Sequence, residues 1–361
     1  MQGYGRAVAA EHHRRRGVVT WVLVAVAALV GGVVGALISH AVWSEPNVSA
    51  AACTGSTVAD EVIPSVVTIE VSRSGTSPGG TGSGEFYKEG GYILTNNHVI
   101  SNAANGGKID VVLSDGQRVP ATLVGRDPLT DLAVVKAPEA QSPKIIALGS
   151  SGDLDVGQPV VVVGAPLGLS NSVTSGIVSA LARTVEVPGE GSQSALLADA
   201  IQTDAAINPG NSGGAMVNCG GQLVGIPSAG ATLPGSSGGS IGLGFAIPID
   251  IAEAVANQII TTGHVTHASF GLEAVPAAGP IAQRAGVPQG LYVTAVQTGG
   301  PAASAGLRPG DVITQIDGAP ATSTDQLVEL TITKKPGDKV QLTYVRNGHT
   351  TTTTVTLGSQ T

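Results

Sequence analysis

Short runs rich in valine, isoleucine and threonine, separated by turn signals, are what most restrict this chain. They recur over 66–71, 109–113, 119–125, 131–136, 159–163, 174–180, 215–217, 222–226 and 243–247. Such spacing predicts an all-β barrel or sandwich. Abundant glycine, 51 of 361 residues, with few aromatics, suits short strands and tight turns. One helix breaks the pattern, over 249–262. Ile251, Val255 and Ile259 recur on one face of it, and Gly263 is its stop. Glycine- and serine-rich stretches at 72–84 and 229–240 read as loops.

Within this β-rich body, Gly210-Asn211-Ser212-Gly213-Gly214 stands out. A serine hydroxyl is a poor nucleophile at neutral pH and needs a base beside it and donors for an oxyanion. Glycines on both sides allow a sharp turn that aims amide groups at one spot. The amides of Gly210 and Ser212 are the candidate donors. Of seven histidines, only His98 falls in the body of the same domain, where the apolar run Tyr92-Ile93-Leu94 ends in Thr95-Asn96-Asn97. Several aspartates follow it. Asp131 opens a buried strand, where backbone amides can hold it against the imidazole. Asp127, in Arg126-Asp127-Pro128, has turn character. Asp131 is therefore preferred.

The pentapeptide also fits the G-x-S-x-G elbow of α/β-hydrolases. That elbow requires a helix after the serine and a histidine downstream. Here strands follow Ser212 and the usable histidine precedes it. The order His, Asp, Ser is that of chymotrypsin-like proteases.

Thr95-Asn96-Asn97-His98-Val99, Asp131-Leu132-Ala133-Val134 and Gly210-Asn211-Ser212-Gly213-Gly214 together resemble the three catalytic motifs of the HtrA (DegP/DegS-like) serine proteases. Thr174-Ser175-Gly176-Ile177-Val178-Ser179 is a further similar segment. The resemblance covers roughly residues 58–358. It implies a mainly β fold: a chymotrypsin-like pair of six-stranded barrels with the triad in the cleft, followed by a PDZ domain. It implies His98 as general base, Asp131 as its orienter and Ser212 as nucleophile, with an oxyanion hole over Gly210, Asn211 and Ser212. Leu243 is expected to wall the substrate pocket. Asn211, uncharged, excludes pairing with a newly cut N-terminus, so control is expected from loop order.

Phe270-Gly271-Leu272 resembles the loop by which PDZ domains receive a peptide's terminal carboxylate. Residues 300–313 resemble the helix–turn–strand of the HtrA-type PDZ. Ser323 with Gln326 predicts a capping box for a helix whose Leu327 lines the groove, with Leu330 either lining it or in the core. Glu273 replaces a small residue of the family. Glu85, in Gly82-Ser83-Gly84-Glu85-Phe86, replaces an apolar one, so an irregular strand is expected there.

Residues 18–43 carry no formal charge, while Arg14-Arg15-Arg16 precede them. At ~1.5 Å per residue such a helix exceeds the ~30 Å hydrocarbon core. The arginines should stay cytoplasmic. A cleaved signal peptide would have an unusually long apolar core, so an uncleaved anchor is favoured. The expected order is a cytoplasmic segment 1–17, a membrane helix 18–43, a tether 44–57, a protease domain 58–262, a linker 263–269 and a PDZ domain 270–358. Both cysteines, Cys53 and Cys219, would lie outside the cell membrane. A disulfide between them is permitted there, but spacing does not decide it. No basic stripe argues for nucleic acid. No cofactor or metal is expected. The implied partners are unfolded or signalling proteins and peptide C-termini. A homotrimer stays open, since 44–62 lacks the family's aromatic residues.

Overall fold

The computed structural model describes residues 53–73, 78–138, 144–165, 172–189, 194–230, 239–277 and 289–360. The expected membrane helix at 18–43 and the segment before it lie outside these residues. Among the described residues no helix is long and apolar enough to cross a membrane.

Twelve strands close two barrels. The first runs β1 (Val66–Ser72), β2 (Pro78–Lys88), β3 (Tyr92–Asn96), β6 (Leu132–Lys136), β5 (Arg118–Asp127) and β4 (Lys108–Val112). The second runs β10 (Ala215–Val217), β11 (Leu223–Gly230), β12 (Gly244–Pro248), β9 (Ser194–Thr203), β8 (Ser172–Pro188) and β7 (Pro159–Gly164). The glycine-rich stretch read as a loop at 72–84 is strand β2 from Pro78 onward.

The seam between barrels explains the unbroken apolar runs. Successive side chains of a strand point to opposite faces. In β7, Val160 and Val162 fill the second barrel, while Val161 and Val163 pack in the seam. In β6, Ala133 and Val135 fill the first barrel, while Leu132 and Leu94 of β3 meet in the seam. Strands buried on both faces have no polar side to alternate with. The helix Ile249–Thr262 closes the seam with Ile249, Ala252, Val255, Ala256 and Ile259, while Ile251 is only partly buried. Gly263 ends it in the left-handed conformation, φ 83°.

Glu85 also lies on the seam face of β2, in register with Val66 and Leu94. It is fully buried, and neither carboxylate oxygen has a hydrogen-bond partner among the described residues. Burial pushes this carboxyl well above the usual range. The strand runs regularly through it, and the irregularity of the β2–β3 pairing falls after Phe86 instead.

The segment read as tether carries the start of a helix, Gly55–Val62. Cys53, just before it, is disulfide-bonded to Cys219 in the β10–β11 turn, with 5.1 Å between their Cα atoms.

Beyond the barrels, β14 (Leu272–Pro276), β15 (Leu291–Val296), β16 (Val312–Ile316), β18 (Lys339–Arg346) and β19 (His349–Thr356) form one sheet, with β17 (Ala319–Pro320) paired to β16. The stretch read as linker contains strand β13 (His267–Ser269), paired with β20 (Gly358–Gln360). The turn before β16 is held by buried Asp311, which takes two bonds from Arg346 and one from the Arg308 amide. The second helix spans Asp325–Thr333, with Thr324 as its N-cap. Gln326 Oε1 does accept the Ser323 amide, but Ser323 Oγ takes the Asp325 amide, so the expected box closes on one side only.

Candidate active site

His98 sits in the short helix Asn97–Ile100, where β3 runs out of apolar residues. Asp131, just before β6, adopts a left-handed backbone, φ 59°. That conformation is uncommon for a non-glycine residue, though aspartate adopts it more readily than most. It is held by its carbonyl, which accepts the Asn97 amide at 3.0 Å and Asn96 Nδ2 at 2.9 Å. Its carboxylate is thereby presented to His98. Oδ1 accepts the His98 amide at 2.9 Å, and Oδ2 lies 2.8 Å from Nδ1. An acceptor at Nδ1 places the ring proton there and leaves Nε2 open as a base. Asp131 is buried, while the His98 side chain is 38% exposed toward the cleft.

Ser212 lines the same cavity as His98, about 370 Å³, with Gly210, Ile207, Asn208 and Pro209. Its hydroxyl does not reach the imidazole in this conformation: Ser212 Oγ donates to the Ser228 carbonyl at 3.2 Å. Ser228 in turn donates its own hydroxyl to Asp131 Oδ2 at 2.6 Å. This residue, joined to both Asp131 and Ser212, was not singled out in the sequence. Its only signal was a polar side chain in an otherwise apolar strand.

The amides divide cleanly. Neither the Gly210 nor the Ser212 N–H donates to an acceptor among the described residues. The Asn211 amide donates to the Asn208 carbonyl at 3.0 Å, so Asn211 is not a donor of the hole as expected. Its side chain is buried and gives Nδ2 to the Ala206 carbonyl. Gly213 (φ 78°) must be glycine here: a Cβ would fall 2.4 Å from Thr95 Oγ1 and 2.5 Å from the Ser83 carbonyl. Leu243 is 39% exposed and absent from the cavity lining, where Ile207 and Val99 are the aliphatic residues instead.

Phe270, Gly271, Leu272 and Leu327 do come together, in a second cavity of about 980 Å³. Leu330 packs on the core instead. The Gly271 amide already donates to Ser269 Oγ at 3.1 Å. This groove also touches Asp127, at the end of β5 in the first barrel, with Pro128 and Leu129 after it, and His267 Nε2 lies 2.9 Å from Asp127 Oδ2.

Residues 82–226 match the trypsin-like peptidase domain family, and 268–357 match the PDZ domain family. Serine protease Do-like HtrA of Lactococcus lactis is 39% identical over 78% of this chain and 71% of its own length. The chain belongs to the HtrA serine protease family. Serine protease PepD of Mycobacterium tuberculosis is 46% identical over 83% of this chain. The solved structure of the HtrA-type protease AlgW with a decapeptide superposes with a TM-score of 0.67, at 34% identity, covering 85% of this chain and 99% of that one. The chain spans 65% of the length of PepD and 56% of a DegP-like endoprotease of Halomonas elongata.

Proposed function

We propose that this protein is a membrane-anchored, extracytoplasmic serine endopeptidase that cuts unfolded or signalling proteins. The observation that carries the reading is the double grip of Asp131 on His98, in a cavity shared with Ser212 and two amides that are unpartnered among the described residues. A turn about the Ser212 side chain brings its hydroxyl to His98. Oγ then attacks the peptide carbonyl carbon while Nε2 takes the proton. The carbonyl oxygen, now anionic, receives the Gly210 and Ser212 amides. His98 returns the proton to the leaving amine. Water, deprotonated by the same nitrogen, then releases the acyl group. The Cys53–Cys219 disulfide supports an oxidising compartment, and the charge-free stretch at 18–43 is the proposed anchor. The HtrA-type protease AlgW has been solved with a decapeptide, which supports peptide binding by this chain, and the groove at Phe270–Leu272 is the proposed place for a C-terminal peptide.

The purified wild-type chain should cleave unfolded casein, and Ser212→Ala should do so no faster than buffer. Equal rates would defeat the assignment. The Ser212–Ser228 bond favours a second reading, a docking module whose protease rests. Fluorophosphonate labelling of Ser212, with and without C-terminal peptides, separates the two. Labelling that peptide increases fits the enzyme. Labelling that never appears fits the module.

A further inference from the structure

We propose that Ser83 is a positioning residue for the oxyanion hole, acting by pinning the nucleophile turn to the first barrel. The inference rests on the catalytic reading above. Ser83 lies in β2, on the seam face, and is 0% exposed. Its hydroxyl donates to the Gly210 carbonyl at 2.5 Å and accepts the Ala165 amide at 2.8 Å. Its own amide donates to the Ser212 carbonyl at 2.9 Å. Its carbonyl accepts Thr95 Oγ1 at 2.6 Å, which ties it to the strand that leads to His98.

The directions of these bonds are forced. An amide only donates and a carbonyl only accepts, so the hydroxyl proton of Ser83 belongs to Gly210. The Gly210 carbonyl and the Asn211 amide are two ends of one peptide plane. Ser83 holds the first and the Asn208 carbonyl the second. The next plane is held by the Asn211 carbonyl, which accepts the Gly214 amide at 3.0 Å. The plane after Ser212 is held by Ser83 at its carbonyl and by Pro227 at the Gly213 amide. Three consecutive planes are thus fixed, and Ser83 alone comes from the opposite barrel.

Such pinning is needed because the turn has little stiffness of its own. Gly210 sits at φ 102° and Gly213 at φ 78°, and glycine crosses between backbone regions readily. If the Gly210 carbonyl loses its donor, the Gly210–Asn211 plane is held at its Asn211 end alone. The two amides that must converge on one oxygen sit in the planes on either side of it, Pro209–Gly210 and Asn211–Ser212, so their common aim depends on how firmly it is held. An oxyanion hole works because its donors are oriented before charge develops.

The test uses the full chain in detergent. Ser83→Ala is compared with Thr68→Val. Thr68 Oγ1 donates to the Ala165 carbonyl at 3.1 Å, so this control also loses a buried bond to the same segment but leaves the turn untouched. Three readouts are taken: kcat and KM on unfolded casein, affinity for a peptide boronate, and affinity for a C-terminal peptide. The boronate forms a tetrahedral adduct on the serine oxygen. Ser83→Ala should lower kcat by ~10- to 100-fold, somewhat less than removal of a hole donor itself, with KM little changed. Boronate affinity should fall by a similar factor, while C-terminal peptide affinity stays the same. Thr68→Val should keep kcat close to wild type. An unchanged kcat in Ser83→Ala overturns the proposal, as does an equal fall in both variants. Should Ser83→Ala not fold, Ser83→Cys keeps the volume with a weaker donor, and an unchanged kcat there overturns it equally. A wild-type chain that neither cleaves casein nor takes the boronate would instead sink the catalytic reading, and this proposal with it.

Discussion

Two aspartates four residues apart each hold a histidine, and they do different work. Asp131 meets His98 at Nδ1, which leaves Nε2 facing the cleft. Asp127 meets His267 at Nε2, and that side chain is only 14% exposed. Asp131 has its second oxygen on a backbone amide and shares the first with Ser228. Asp127 Oδ2 accepts instead from Thr130 and bridges the protease body to strand β13. An Asp–His contact is therefore not a catalytic signature by itself. What decides is which ring nitrogen stays free, and whether a hydroxyl and open amides lie beyond it.

The largest expected effect tests Asp131, the proposed catalytic member of this comparison. Asp131→Asn leaves the pocket filled but reverses the hydrogen-bond sense at Nδ1, so kcat should fall by roughly 10⁴-fold. Single-turnover acylation would measure it. A loss of only a few-fold would put the two aspartates on one footing.

A third carboxyl sharpens the comparison, because Glu85 has no partner at all among the described residues. Its raised folded value means that the folded state binds more protons than the unfolded one. Stability is then full at low pH and falls as pH rises from the ordinary carboxyl range through the raised folded value. Glu85→Leu should remove that slope and add roughly 2 kcal/mol at neutral pH. Denaturant titrations at several pH values would show it. A variant that is less stable at neutral pH would mean the carboxyl has a partner after all.

The smallest effect falls on the bridging pair. Asp127→Asn should cost about 1 kcal/mol of stability through the weakened contact with His267. Casein cleavage should be nearly unchanged. A collapse of kcat would show that the bridge also steers the triad.

Local chemistry made parts of this molecule legible in the sequence. The helix Ile249–Thr262 was readable because an apolar face runs up to a glycine stop. His98, Asp131 and Ser212 were readable because each breaks or borders an apolar strand with polar residues. Strand β9 was not. Ser194–Thr203 is rich in alanine and leucine, with Ala195–Ala198 buried in an unbroken run, so no alternation betrays a strand. Ser228 and Ser83 were not legible either, because their partners arrive from distant parts of the chain. The Cys53–Cys219 bond depended on two segments meeting in space, which spacing along the chain does not encode.

That bond has a practical outcome for any preparation of this protease. Its two sulfurs are 166 residues apart in sequence. A single cut anywhere between them, including a self-inflicted one, leaves both pieces covalently joined. Nicked molecules should therefore co-migrate with intact ones on a non-reducing gel and separate only after thiol is added.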